Sequence, residues 1–291
     1  MAFESLEEIV ERCKKENKAF YRVVMEEDIQ ERNIAEEDSL KQMKRTWEAM
    51  LLAADTYEPG LKSHSGLVGG DGAKMSEYGK AHREDSLCGS FVDSVIAGAL
   101  QMGESNACMK RIVAAPTAGA CGVLPAVLVP SFRTGRYCVE EMLQAMYTAA
   151  GIGQVIAARA YISGAAGGCQ AEIGAASAMA AGALVSLWGG SPQQITEASA
   201  MALKNLLGLV CDPVAGLVEV PCVKRNVVGA MNALSSAEMA LAGITSRIPP
   251  DQVIDAMKEV GDRMDEMFRE TAKGGLAATP AGKTVAGKMS E

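Results

Sequence analysis

The sequence predicts a mainly α fold, a large helical bundle-like domain with glycine-rich loops, on three observations. Alanine, glycine (30 residues) and methionine (17) are abundant while aromatics make up 4%. That mixture suits closely approaching helices and not a β-sandwich, which draws on β-branched and aromatic side chains. Helix start and stop signals recur along the chain, with apolar residues at helical spacing between them. Hydrophobic residues at 48% and charged ones at 22% over 291 residues supply a sizeable core and exclude a disordered or collagen-like chain. A net charge of −8 leaves no basic footprint for nucleic acid or an anionic membrane. Small molecules or protein surfaces are the expected ligands.

Ser5 and Glu8 form a capping-box pattern that opens a first helix. A longer helix is expected from about Glu27 to Thr56, ending before Glu58-Pro59-Gly60. Leu61 to Lys80, with Gly66, Gly69, Gly70, Asp71 and Gly72, reads as a shaped loop too glycine-rich for a regular element. Further helices are expected near Ser86–Met102, Ala118–Val129, Val139–Tyr161, Cys169–Trp188, Pro192–Leu207, Cys222–Leu241 and Asp251–Arg269. Ser191-Pro192 with Gln194 marks a start and Gly189-Gly190 a stop. In the last helix Val253, Ile254, Met257, Val260, Met264, Met267 and Phe268 form an apolar stripe that reads as core.

Charge is concentrated at the start. Residues 1–48 carry 22 charged side chains, whereas 86–248 carry 18. The expected division is an N-terminal charged helical segment, 1–60, packed on a unit, 61–291, that holds the chemistry. The uncharged runs Ile112 to Phe132 and Met142 to Ala158 are rich in small residues, and the first contains Pro116, Pro125 and Pro130. They read as the centre of a helical bundle and not as membrane spans.

No basic and apolar leader opens the chain at Met1-Ala2-Phe3-Glu4-Ser5, so a cytoplasmic location with reduced thiols is expected. Of eight cysteines, Cys13, Cys88 and Cys138 lie in or beside helical pattern and read as inert packing residues, and Cys108 and Cys121 carry no clear signal. Cys169, Cys211 and Cys222 differ, because each is expected at a helix terminus. Cys169 follows the run Gly164-Ala165-Ala166-Gly167-Gly168, and Cys222 follows Cys211 by eleven residues after Pro221. Free N–H groups at a helix start favour a thiolate. The spacings of 42 and 11 match neither a C-x-x-C zinc pair nor a compact ferredoxin run. Three thiolates on a 4Fe-4S cluster would leave one iron open to act as a Lewis acid.

The segment from Cys211-Asp212-Pro213 to Val220-Pro221-Cys222, the stretch Gly164 to Gly174, and Arg269 to Ala277 together resemble the alpha chain of the iron-sulfur-dependent L-serine dehydratases. Ser65 to Asp71, Asn106 and Ala115-Pro116-Thr117-Ala118-Gly119 agree, so the resemblance covers nearly the whole chain. It implies a helical catalytic unit in which Cys169, Cys211 and Cys222 hold a 4Fe-4S cluster without pyridoxal phosphate. The implied reaction converts L-serine to pyruvate and ammonia. His64, Ser65, Lys74 and Thr117 are the candidate catalytic residues, and Asn106, Arg225, Asn226 and Lys273 the candidate substrate-binding ones. Only His64 and His82 are histidines; His64 is the better-placed base, and His82 reads as surface.

In two-chain members a separate beta chain carries a Ser-Ser-His-Thr-like motif that is absent here, which implies a beta-chain partner that completes the site. Single-chain relatives end in a cysteine, whereas this sequence ends Lys288-Met289-Ser290-Glu291, as expected of the two-subunit type. Two rival readings stand beside this one: an L-cysteine desulfidase with a similar cluster, and a non-catalytic metal-binding module holding zinc or another ion.

Overall fold

Alanine and glycine allow one helix to be enclosed on every side, and the helix Cys169–Leu187 (α9) is enclosed in this way. The protein's structure, a computed structural model, describes residues 3–289; Met1-Ala2 and Ser290-Glu291, on which the leader and tail expectations partly rest, lie outside. In chain order its other helices are α1 Leu6–Glu16, α2 Phe20–Arg32, α3 Glu36–Asp55, α4 Asp71–Ala81, α5 Gly89–Ala107, α6 Val123–Arg133, α7 Val139–Arg159, the single turn α8 Gly164–Gly167, α10 Pro192–Lys204, α11 Cys222–Leu241, α12 Pro250–Arg263 and α13 Pro280–Met289. The fold is mainly α, and the one β feature among the described residues is an isolated parallel bridge between Cys211 and Arg269.

α6, α7, α10 and α11 surround α9. Its small residues set how near they come. A Cβ on Gly182 would lie 3.0 Å from Ser199 Oγ of α10, and one on Gly174 3.2 Å from Leu203 Cδ1. From α7, Gly153 approaches Met179 so closely that a Cβ would lie 2.9 Å from its sulfur. One apolar cluster runs from Phe3, Leu6 and Trp47 through Ile152, Ile173 and Leu203 to Met257, with each fully buried large side chain contributing about 1.5–3 kcal/mol. No helix among the described residues is long and apolar enough to cross a membrane.

The structure corrects several expected boundaries. The expected helix from Glu27 to Thr56 is two helices, because Asn33 turns left-handed (φ 51°) and donates its N–H to the Ile29 and Gln30 carbonyls, closing α2 before α3 begins at Glu36. Asn tolerates that conformation and serves as a helix stop where glycine is the commoner choice. The expected loop Leu61 to Lys80 contains α4. Gly72 is there for packing: a Cβ would lie 2.6 Å from Gln101 Cγ and 3.0 Å from its backbone nitrogen on α5. α12 ends at Arg263, where Met264 becomes extended. Val253, Ile254 and Met257 are core as expected, but Met267 lies beyond the helix and is exposed. α13 was not foreseen, although Thr279 before Pro280 is a start signal and Thr279 Oγ1 accepts the Gly282 N–H at 3.1 Å.

Candidate functional site

The chain brings Cys169, Cys211 and Cys222 together from three separate segments and buries them to 1%, 2% and 6% exposure. Cys169 and Cys222 are the first residues of α9 and α11, so both sulfurs stand at the positive end of a long helix dipole. Cys211 departs from expectation. α10 stops at Lys204, and Cys211 lies in extended backbone, donating its N–H to Phe268 O at 2.7 Å and accepting from Glu270 N at 2.9 Å. This bridge brings Arg269 to Gly275 to the thiols. The turn entering α9 is tied to the same loop, since Gln170 N donates to Leu209 O and Gln170 Oε1 accepts from Gly208 N, both at 2.9 Å.

Arg225, one turn after Cys222, holds the group together. Its Nη1 donates to Val210 O at 2.7 Å and to Cys169 Sγ at 3.4 Å, and Nη2 pairs with Asp212 Oδ1 at 2.9 Å. A hydrogen bond from Cys211, aided by the Arg225 charge, pulls the Cys169 thiol below its usual range, and the same bond pushes Cys211 up. Burial pushes Cys222 up to about 12. Asp212 also accepts the Leu276 N–H at 2.8 Å.

Two further carboxylates join the site to its surroundings. Glu172, one turn after Cys169, accepts from Thr117 Oγ1, and burial pushes its carboxyl up while that bond opposes the shift. Gly119 lets the Thr117 loop wrap it, since a Cβ there would lie 2.7 Å from both Glu172 oxygens. Glu219 accepts from Ser65 Oγ and, at 2.7 Å, from Ser63 Oγ, clamping the glycine-rich loop onto the turn that leads to Cys222. Ala215, Glu270 and Ala272 hold left-handed φ angles of 55°, 62° and 55°, a conformation costly without glycine and concentrated at functional sites.

Of the sequence candidates, Ser65, Thr117 and Arg225 join this network. His64 is exposed beside Ser65 and makes no hydrogen bond with a described residue. Lys74 is exposed and pairs with Asp71 at 2.9 Å; Lys224 reaches the same carboxylate at 3.6 Å. Lys273 is exposed and pairs with Glu266 at 2.5 Å. Asn106 is half-buried, and its side-chain amide has no hydrogen bond with a described residue. Asn226 is fully buried and engages backbone alone: Nδ2 donates to Gly119 O (2.8 Å) and Cys222 O (3.0 Å), and Oδ1 accepts from Gly122 N (2.8 Å). It braces the Thr117 loop against α11.

Cys13 and Cys121 are buried, but Cys88 and Cys138 are exposed, which corrects their reading as packing residues. Both are N-cap residues at exposed helix starts. Sequence reasoning passed over Glu172, Asp212, Glu219 and Glu104. For Glu172 a signal existed, since it is the one charge in an otherwise apolar helix. Glu104 has its partners far away in sequence: it accepts from Tyr57 OH at 2.5 Å and from Asp71 N at 2.7 Å, capping α4 from α5.

Three soft donors suit an iron-sulfur cluster. Room beside them exists because residue 164 is glycine; a Cβ there would lie 2.7 Å from Cys211 Sγ. Among the described residues no three His, Cys, Asp or Glu side chains converge on a single ion. In donor type and in the absence of a side chain at position 164 the thiols fit a cluster.

Residues 15–277 match the family model described as serine dehydratase alpha chain. The chain is 46% identical over 287 residues to a protein of Bacillus subtilis named probable L-serine dehydratase, alpha chain, covering 99% of this chain and 95% of that one. It is 40% identical over 280 residues to the L-serine dehydratase, alpha chain, of Peptoniphilus asaccharolyticus, covering 96% and 95%. An L-serine dehydratase of Escherichia coli matches at 44% over 190 residues, which is 65% of this chain and 42% of that protein. Because the match runs through every segment that contributes a thiol, the chain belongs to the serine dehydratase alpha chain family.

Proposed function

We propose that this chain is the catalytic part of a lyase that converts L-serine to pyruvate and ammonia, with a 4Fe-4S cluster on Cys169, Cys211 and Cys222 and no pyridoxal phosphate. The observation that carries the reading is the gathering of three buried thiols, distant in sequence, one of which accepts from the Arg225 guanidinium. The names of its relatives supply the substrate. When bound, the cluster's iron without a protein thiolate supplies a Lewis acid for serine's β-hydroxyl, a poor leaving group.

The chain's own residues do the rest. Arg225 offsets thiolate charge and fixes the loops carrying Cys169 and Cys211. Lys74 and Lys273 offer cations to the substrate carboxylate, and Asn106 offers its amide to the amino group. Thr117 donates its hydroxyl to Glu172 and fixes that carboxyl one turn after Cys169. Ser65 with Glu219 fixes the loop on which His64 stands. In the overall reaction the Cα–H and Cβ–O bonds break, water leaves, and the released 2-aminoacrylate tautomerises to an imine that water hydrolyses to pyruvate and ammonium. A separate beta chain, docked over Ser65 to Lys74, Thr117 and Lys273, supplies the base for the Cα proton; His64 is this chain's own candidate.

The experiment is anaerobic reconstitution of the chain with iron and sulfide, with and without its beta chain, followed by a pyruvate assay on L-serine. Pyruvate from the complex, lost in each of the serine variants of Cys169, Cys211 and Cys222 together with iron content, supports the reading. Undiminished iron and rate in any of them overturns it, and hydrosulfide from L-cysteine in place of pyruvate from L-serine selects the desulfidase.

A further inference from the structure

Five carboxylates are buried among the described residues: Glu27, Asp93, Glu104, Asp212 and Glu219. Four have partners. Glu27 is paired with Arg12, Glu104 with Tyr57 and the α4 amides, Asp212 with Arg225, and Glu219 with Ser63 and Ser65. Asp93, in the second turn of α5, is 5% exposed and has no hydrogen bond or ion pair with any described residue; its Oδ2 is closed to water and orphaned. An ionised carboxylate taken out of water without a partner is costly, and its persistence calls for an explanation.

Asp93 lines a cavity of about 770 Å³ between α3, α4, α5 and α6, within the range of small-molecule sites. Gly79 faces it from α4, and a Cβ there would lie 3.1 Å from Asp93 Cβ, so no α4 side chain covers the carboxylate at that point. Lys80 and Arg83 line the same cavity. Both are exposed, and neither has a carboxylate partner among the described residues, unlike Arg133 on the opposite wall, which pairs with Asp55 at 2.5 Å. The cavity thus offers one buried carboxyl without a partner and two exposed cations without a carboxylate partner, all among the described residues, across a space that includes Ser90 and Gln101. None of the three thiols lines it.

We propose that this cavity binds a small zwitterion with the chemistry of a free α-amino acid, its ammonium on Asp93 and its carboxylate on Lys80 and Arg83. A lone cation would satisfy Asp93 and leave the lysine and arginine unpaired; a lone anion would do the reverse. Only a ligand carrying both charges satisfies all three groups.

The test is calorimetric titration with L-alanine, which has no β-leaving group and is not consumed. The titrated protein is the full chain carrying Cys169→Ser, which removes a thiol-site contribution. One-to-one binding is expected, weakened at least tenfold in Asp93→Asn and in the double variant Lys80→Gln, Arg83→Gln. Ethylamine and propionate, each carrying half the charge pattern, should give no binding under the same conditions. Because Asn at position 93 keeps the shape of a carboxyl that has no partner among the described residues, that variant should melt no lower than its parent, so lost binding reads as a lost contact and not as misfolding. L-alanine binding of equal strength in Asp93→Asn would overturn the proposal, as would no binding up to the probe's solubility limit. So would a lower melting temperature in both variants without L-alanine binding, which would mean that Lys80 or Arg83 itself pairs with Asp93. The readout is binding and not pyruvate formation, so its failure leaves the serine assay standing.

Discussion

Arg225 commits one planar guanidinium to the Val210 carbonyl, the Cys169 sulfur and the Asp212 carboxylate, and an ammonium cannot reproduce that fork. Arg225→Lys is expected to leave the helical circular dichroism intact while lowering iron content or turnover about 10–100-fold, as loss of an orienting partner behind a metal ligand does; parental iron content and rate would refute the role. Asn226 makes a different contribution. Truncation to Ala leaves Gly119 O and Gly122 N buried without their partner, each unsatisfied group costing about 1–3 kcal/mol. Urea denaturation of Asn226→Ala should therefore show a loss of about 2–4 kcal/mol; a loss within 0.5 kcal/mol, roughly the scale of a surface substitution, would mean that the brace carries nothing. The cysteines outside the site divide by environment. Burial pushes Cys13 up to about 11 and Cys121 up to about 12, so both stay neutral thiols at pH 8, whereas Cys88 and Cys138 are open to reagent. Peptide mass spectrometry after brief iodoacetamide treatment should find Cys88 and Cys138 alkylated in the native chain, and Cys13 and Cys121 only after unfolding.

At the scale of elements, α4 shows how packing overrides composition. A glycine-rich stretch is a poor helix former, yet Asp71–Ala81 is helical because Gly72 and Gly79 let it lie against α5 and because Glu104 caps it from across that interface. Isolated-helix propensity would make Gly72→Ala stabilising by up to about 1 kcal/mol. The contact at Gln101 reverses the sign, and a loss of about 1–3 kcal/mol is expected from overpacking, measured as a lower urea midpoint; a raised midpoint would show that α4 can move off α5 without cost. The first helix behaves locally by contrast. Ser5 Oγ accepts the Glu8 N–H at 3.0 Å, and its partners are three residues apart, which is why the capping pattern was legible. Asn33 and the α4 cap were not legible, since the first needed a backbone angle and the second a residue 33 positions away.

At the scale of the whole molecule, the proposed cluster and the proposed partner make separate demands. An iron without a protein thiolate is the one most readily lost on oxidation, so activity should decay in air and return with ferrous iron and thiol; turnover unchanged by prolonged aeration would remove the open-iron reading. With the base supplied by the beta chain, the isolated chain should bind the cluster yet form little pyruvate, and His64→Ala should keep most of the activity of the complex. Full activity of the isolated chain, or total loss in His64→Ala with normal iron content, would move the base into this chain.

The sequence by itself determined the helical class, most helix cores, and the segments that carry the three cysteines, because small-residue content, cap signals and local motifs act over a few neighbouring positions. Only the tertiary structure decided what those segments do to one another. It placed Cys211 in a bridge with Arg269 and not at a helix end, made Arg225 a shared partner of Cys169, Val210 and Asp212, tied Asn226 to the Gly119 and Gly122 backbone, and left Asp93 buried without a partner among the described residues. Each of these depends on contacts between residues tens of positions apart, and such contacts leave no period or spacing in the chain; they exist only once the helices around α9 have closed and set which side chains lose their water.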